Sequence, residues 1–114
     1  MESVRQSKVA KLLQKELAEI FRANAKSMFD GAFITVTIVR ISSDLSSAKI
    51  YVSIMANKDV DAVYKSINEQ KIHIRKILGN TIVMQVLIIP ELFFFIDDSY
   101  DYAEKINKLF DKPV

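Results

Sequence analysis

The sequence predicts an α+β domain, a three-stranded sheet with helices packed on one face. Three observations carry that prediction. Phe33–Ile41 and Ala48–Met55 are β-branched runs joined by a short serine-rich turn, the pattern of an antiparallel hairpin. Before the hairpin and after it, apolar residues recur at three- and four-residue spacings, which marks amphipathic helices. The stretch Asn57–Asp97 runs without interruption from such a helix into the most apolar segment of the chain, which reads as a third strand.

The first helix is expected from a cap at Ser3 or Ser7 to about Lys26, with Val9, Leu12, Leu13, Leu17, Ile20 and Phe21 as its buried stripe. Phe29, Asp30 and Gly31 end it, glycine being suited to the left-handed turn that reverses the chain. In the first strand, alternation puts Ile34, Val36 and Ile38 on one face and Thr35, Thr37 and Val39 on the other. In the second, Ile50, Val52 and Ile54 point inward and Lys49, Tyr51 and Ser53 outward. The turn between them, Ser42–Ser47, supplies side-chain acceptors for its own backbone.

Asn57 or Asp59 then caps a helix whose stripe is Val60, Val63, Tyr64, Ile67, Ile74, Ile77 and Leu78. Between Ile67 and Ile74 the stripe holds Gln70 and Lys71, and Ile72 lies off it, so the helical phase changes and a kink is expected near Gln70. Gly79 and Asn80 read as C-cap residues. The third strand is expected over Ile82–Ile96, with a bulge or bend at Pro90 because proline cannot donate to a ladder. A last helix, Tyr100–Phe110, completes the order helix, strand, strand, kinked helix, strand, helix.

Composition narrows the function. At 114 residues the chain is expected to form a single domain over 1–114. Half of it is apolar and 26% charged, as in a globular soluble protein. It has no cysteine, which excludes a disulfide framework and thiolate metal sites and fits a reducing compartment. No signal peptide or membrane span is recognisable, and a cytoplasmic location is expected. His73 is the only histidine and has no serine, cysteine or second histidine at helical spacing, so neither a triad nor a zinc site can be assembled. Asp97, Asp98 and Asp101 could attract magnesium, yet acids at a helix start are what the helix dipole favours. The two glycines form no phosphate-binding loop. A non-enzyme without a cofactor is expected.

Net charge is only +2, but the basic residues are concentrated on two helices. Lys8, Lys11, Lys15 and Arg22 share a face of the first, interrupted by Glu19. By charge alone such a row serves a solvated surface more readily than a phosphate-contacting one. The kinked helix adds Lys65, Lys71, Arg75 and Lys76, with Asn80 at its end. The two sets together point toward RNA.

An ordered series of short segments then resembles the ribosome-binding factor A family over nearly the whole chain. The segments are Arg5, Lys8–Ala10 and Leu13–Leu17; Ser43–Ser53 across the hairpin; Ile74-Arg75 and Leu78-Gly79; Ile89–Leu92; and Phe95–Ser99. The resemblance implies a type II KH-like domain that lacks the usual GxxG loop. It also implies binding to the small (30S) ribosomal subunit during assembly, late 16S RNA maturation and growth in the cold, with no catalytic residues. In place of the family's Ala-x-Gly kink this chain has Gln70-Lys71-Ile72. Where the family's third strand commonly shows basic side chains outward, this one offers Thr81, Leu87 and Phe93.

The expected RNA-contacting residues are Arg5, Lys8, Lys11 and Lys15, then Lys65, Lys71, Arg75, Lys76 and Asn80, with Lys49 on the hairpin as a weaker member. Ribosomal proteins are possible further contacts, and a monomer is expected. The alternative is a protein-interaction module that oligomerises through its apolar third strand.

Overall fold

The computed structural model describes residues 3–55, 59–82 and 89–97. Helix α1 spans Val4–Ala23 and a single-turn helix α2 spans Ala25–Met28; strands β1 (Phe33–Ile41) and β2 (Ser47–Met55) follow. Then come α3 (Val60–Glu69), α4 (Lys71–Ile82) and β3 (Glu91–Ile96). The sheet order is β1-β2-β3, β1 antiparallel to β2 and β3 parallel to it. The α3–α4 pair is the crossover that a parallel pairing requires.

Ser3, not Ser7, caps α1: its hydroxyl accepts from the Gln6 N–H while Gln6 Oε1 accepts from the Ser3 N–H. The helix stops earlier than expected, because the Asn24 N–H and side-chain amide both donate to the Ile20 carbonyl. Phe29 and the left-handed Asp30 and Gly31 then turn the chain. Phe29 is buried edge-on against Phe21, which meets Phe94 of β3 in the same way, with ring centroids 5.4 and 6.0 Å apart.

The core is one apolar layer between helices and sheet. Val9, Leu13, Leu17, Ile20 and Phe21 of α1, with Val63, Ile67, Ile74, Leu78 and Ile82 of α3 and α4, cover the inward residues of all three strands. Among the described residues no polar side chain is buried. The expected inward set of β2, Ile50, Val52 and Ile54, is buried, as is Ala48.

Three expectations need correction. In β1 the register slips at Thr37, which is skipped in the ladder with β2, so Ile34, Val36, Val39 and Ile41 face the core and Ile38 faces out. This is a β-bulge, and it reverses the parity of everything after it. Second, Gly79 and Asn80 do not end the helix. Ile82 is fully buried one turn beyond Leu78, and that burial carries α4 through them; the Thr81 hydroxyl accordingly donates to the Ile77 carbonyl within the helix. Third, Ile82 belongs to α4 and does not begin the third strand; β3 spans Glu91–Ile96, directly after the buried Pro90, and the expected strand residues 83–88 lie outside the described residues. The expected residues Asn57 and Leu87 and the last helix lie outside the described residues.

The break at Gln70 is present. Its N–H donates to the carbonyls of both Ser66 and Ile67, ending α3, and its own carbonyl accepts from Ile74, starting α4. Its side-chain amide donates to the Met28 carbonyl and to Ser66 Oγ. Those two bonds anchor the glutamine at the break.

Candidate RNA-binding surface

On α1 the apolar stripe faces the sheet, so the residues half a turn away face water. Arg5, Lys8, Lys11 and Lys15 are all exposed. The two ion pairs among the described residues are Arg22–Glu19 at 2.6 Å and Lys65–Glu69 at 3.9 Å. Arg22 is thus occupied by the glutamate that interrupts the row, while Lys8, Lys11 and Lys15 have no ion-pair partner among the described residues.

The structure does not gather the second basic set on one face. Lys65 points to solvent beside Glu69 on α3. Arg75, Lys76 and Asn80 line a cleft of about 440 Å³ together with Gly79 and Ile89. Within it Arg75 braces the fold. Its guanidinium donates to the carbonyls of Pro90 and Ile89 at 3.0 and 2.7 Å, fixing the entry to β3. Lys71 turns toward β3, its ammonium 5.4 Å from the centre of the Phe93 ring. Lys49 is exposed on β2 and pairs across the ladder with Phe93, so Lys49 and Lys71 flank one aromatic ring.

Sequence alternation missed Arg40. Without the bulge at Thr37 it belongs with Ile34 and Val36 inside; with the bulge it is exposed and lies directly opposite Lys49. His73 is exposed on α4. Of the acid cluster only Asp97 is described, and it accepts the Thr37 hydroxyl at 2.6 Å. Asp98 and Asp101 lie outside the described residues. Among the described residues no group of histidines, cysteines and acids could hold a metal ion, and no helix is long and apolar enough to cross a membrane.

The family model for ribosome-binding factor A matches residues 5–110. The chain belongs to the ribosome-binding factor A family. The ribosome-binding factor A of Cytophaga hutchinsonii is 47% identical over 112 residues, covering 98% of this chain and 84% of the relative. That of Staphylococcus carnosus is 37% identical over 110 residues, covering 96% and 93%. The fold is shared more widely than the sequence. The crystal structure of ribosome-binding factor A from Thermus thermophilus superposes with a TM-score of 0.65 at 20% identity, covering 80% of this chain and 94% of that one. A homology model of Thermus thermophilus ribosome-binding factor A, fitted into the cryo-EM map of a complex with the 30S subunit, matches with a TM-score of 0.63 at 19% identity, over 86% of this chain and 97% of that one. The fold is the type II KH-like one, with a mixed three-stranded sheet. As a member of the ribosome-binding factor A family, the chain is a binding factor and not an enzyme.

Proposed function

We propose that this chain binds the small (30S) ribosomal subunit as a single domain in the cytoplasm and assists the late maturation of 16S ribosomal RNA. It does so by holding RNA, with no covalent step. The observation that carries the reading is the row Lys8, Lys11 and Lys15, exposed on one face of α1 and without ion-pair partners among the described residues. Ammonium groups held on a rigid helix neutralise phosphates and release counterions, which gives sequence-independent and salt-dependent affinity. A family relative seen in complex with the 30S subunit supports the same partner here.

Lys8→Glu, Lys11→Glu and Lys15→Glu combined is expected to weaken co-sedimentation with small subunits. The variant should also flatten the logarithmic salt dependence of binding by roughly two to three units, about 0.7–0.9 for each phosphate no longer neutralised. Unchanged co-sedimentation across salt concentrations would remove α1 from the interface.

A further inference from the structure

The face of the sheet turned away from α1, α3 and α4 carries an arrangement that packing among the described residues does not explain. Strand register sets it in two adjacent rows: Arg40, Lys49 and Phe93 in one, Ile38, Tyr51 and Phe95 in the next. The Lys71 ammonium joins the first row over the Phe93 ring. In the second row Tyr51 and Phe95 are stacked, ring centroids 5.4 Å apart and planes 29° from parallel. Ile38, Phe93 and Phe95 are 41%, 38% and 38% exposed.

Each row carries a cost. Like charges directly opposite on neighbouring strands repel, and the Arg40–Lys49 pair is such a case. Aromatic rings left in water forgo their burial. One kind of ligand offsets both costs: a polyanion whose repeating unit carries a flat, apolar, stackable face. That is an unpaired nucleotide. Bases stack on aromatic side chains with little regard for sequence, and lysine or arginine beside them takes the phosphates. A duplex keeps its bases stacked on each other and offers this surface only its backbone. Among the described residues the carboxylates of this face lie at the two ends of β3. Glu91 pairs with Ser47, and Asp97 accepts the Thr37 hydroxyl. The two central rows contain none.

We propose that the open face of the sheet is a second RNA-binding surface, specific for single strands. Unpaired bases stack on the Tyr51–Phe95 pair and on Phe93, while Arg40, Lys49 and Lys71 hold the phosphates. A base that settles on Phe93 displaces the Lys71 ammonium from the ring to the neighbouring phosphate. This surface does not depend on the α1 lysines, which lie on the helix layer on the other side of the sheet.

The test is fluorescence anisotropy of the full chain with a labelled, non-self-complementary RNA of eight nucleotides, beside a duplex of the same length. Tighter binding of the single strand is expected. Tyr51→Ala with Phe95→Ala should weaken it by roughly tenfold or more, the effect of removing a stacking platform. Tyr51→Phe should retain the affinity. Arg40→Gln with Lys49→Gln, both exposed positions, should flatten the salt slope by about 1.4 units. That second pair decides the matter if the aromatic variant does not fold. The chain has four tyrosines and no tryptophan, so quenching of tyrosine emission by the RNA, diminished in Tyr51→Phe, reports the stacking directly.

Equal affinity for single strand and duplex overturns the proposal, as does unchanged affinity in a folded aromatic variant. Concentration-dependent self-association in ultracentrifugation, abolished by Phe93→Ser, also overturns it and makes a second copy of the chain the occupant. The triple α1 variant separates the two readings: it loses subunit binding and is expected to keep the short single strand within twofold.

Discussion

Asp44 sits in the turn between β1 and β2, fully exposed, and forms no ion pair among the described residues. Its Oδ1 accepts from Ser42 Oγ, Ser46 Oγ and the Ser46 N–H at 2.7, 2.7 and 3.1 Å. Those donors, the Ser46 hydroxyl first, lower its pKa from the ordinary 3.8 to about 2. A carboxylate whose folded pKa lies below its unfolded one stabilises the fold above the unfolded value and loses that contribution as pH falls through the folded value. Thermal melts of the wild type and Asp44→Asn should therefore differ by a constant amount above about pH 4, and the gap should close as the pH falls to 2. The same network lets Leu45 adopt a left-handed conformation, φ 63°, while its side chain remains buried. The serine-rich composition announced this turn. It did not announce that a leucine would take the strained position, because burial decided that and burial is not local.

Helices and strands show where pattern reading succeeds and where packing overrules it. The phase change at Gln70 was visible in the sequence because an apolar stripe was interrupted by a polar side chain, and the structure breaks the helix at that residue. The Gly79-Asn80 pair has the chemistry of a helix end, yet Ile74, Leu78 and Ile82 continue a four-residue spacing into the core, and α4 follows the spacing. Gly79 is helical there, with φ outside the left-handed region. A Cβ added to it would meet Ile89 side-chain carbons at 3.6 and 3.9 Å, ordinary contact distances. Gly79→Ala should accordingly stabilise the fold by about 0.5–1 kcal/mol, read as a higher urea midpoint at unchanged slope. In β1 the residue skipped in the ladder is Thr37, and removing it leaves Val36 opposite Val52 and Ile38 opposite Tyr51 in an unbroken ladder. A chain lacking Thr37 should keep Val39 and Ile41 in the core and Arg40 outside, with unchanged cross-strand nuclear Overhauser contacts. It forfeits the hydroxyl's hydrogen bonds to the Tyr51 carbonyl and to Asp97, the latter about 1.5–3 kcal/mol as a bond to a charged group. Nothing in the residue types of β1 marks the bulge; alternation is ambiguous where Ile38 and Val39 are adjacent and both apolar.

At the scale of the whole molecule, the helix layer presents the lysines of α1 on one side and the sheet presents Arg40, Lys49 and the aromatic rows on the other. With the hydrophobic layer between them, neither set shares a side-chain partner with the other, and independent sites combine additively to within about 0.5 kcal/mol. Small-subunit affinity of a variant carrying both Lys8→Glu, Lys11→Glu, Lys15→Glu and Tyr51→Ala, Phe95→Ala should therefore fall by the product of the two separate losses. A shortfall would mean that both sets act on one RNA element. The legible part of this arrangement was the α1 row, where helical spacing fixes a common face without any knowledge of the fold. The sheet row was hidden, because it joins residues from three strands and an adjoining helix, and one of them, Arg40, depends on the bulge for its direction.

Side chains from the helix layer reach carbonyls on both border strands of the sheet. Gln6 and Gln14 of α1 donate to the carbonyls of Ile41, Val36 and Thr37 on β1, and the Tyr64 hydroxyl donates to the Phe94 carbonyl on β3. These four carbonyls would otherwise be open to a foreign strand. Each such bond takes one acceptor from an incoming strand, so pairing at these margins is hindered while the flat face of the sheet stays available for recognition.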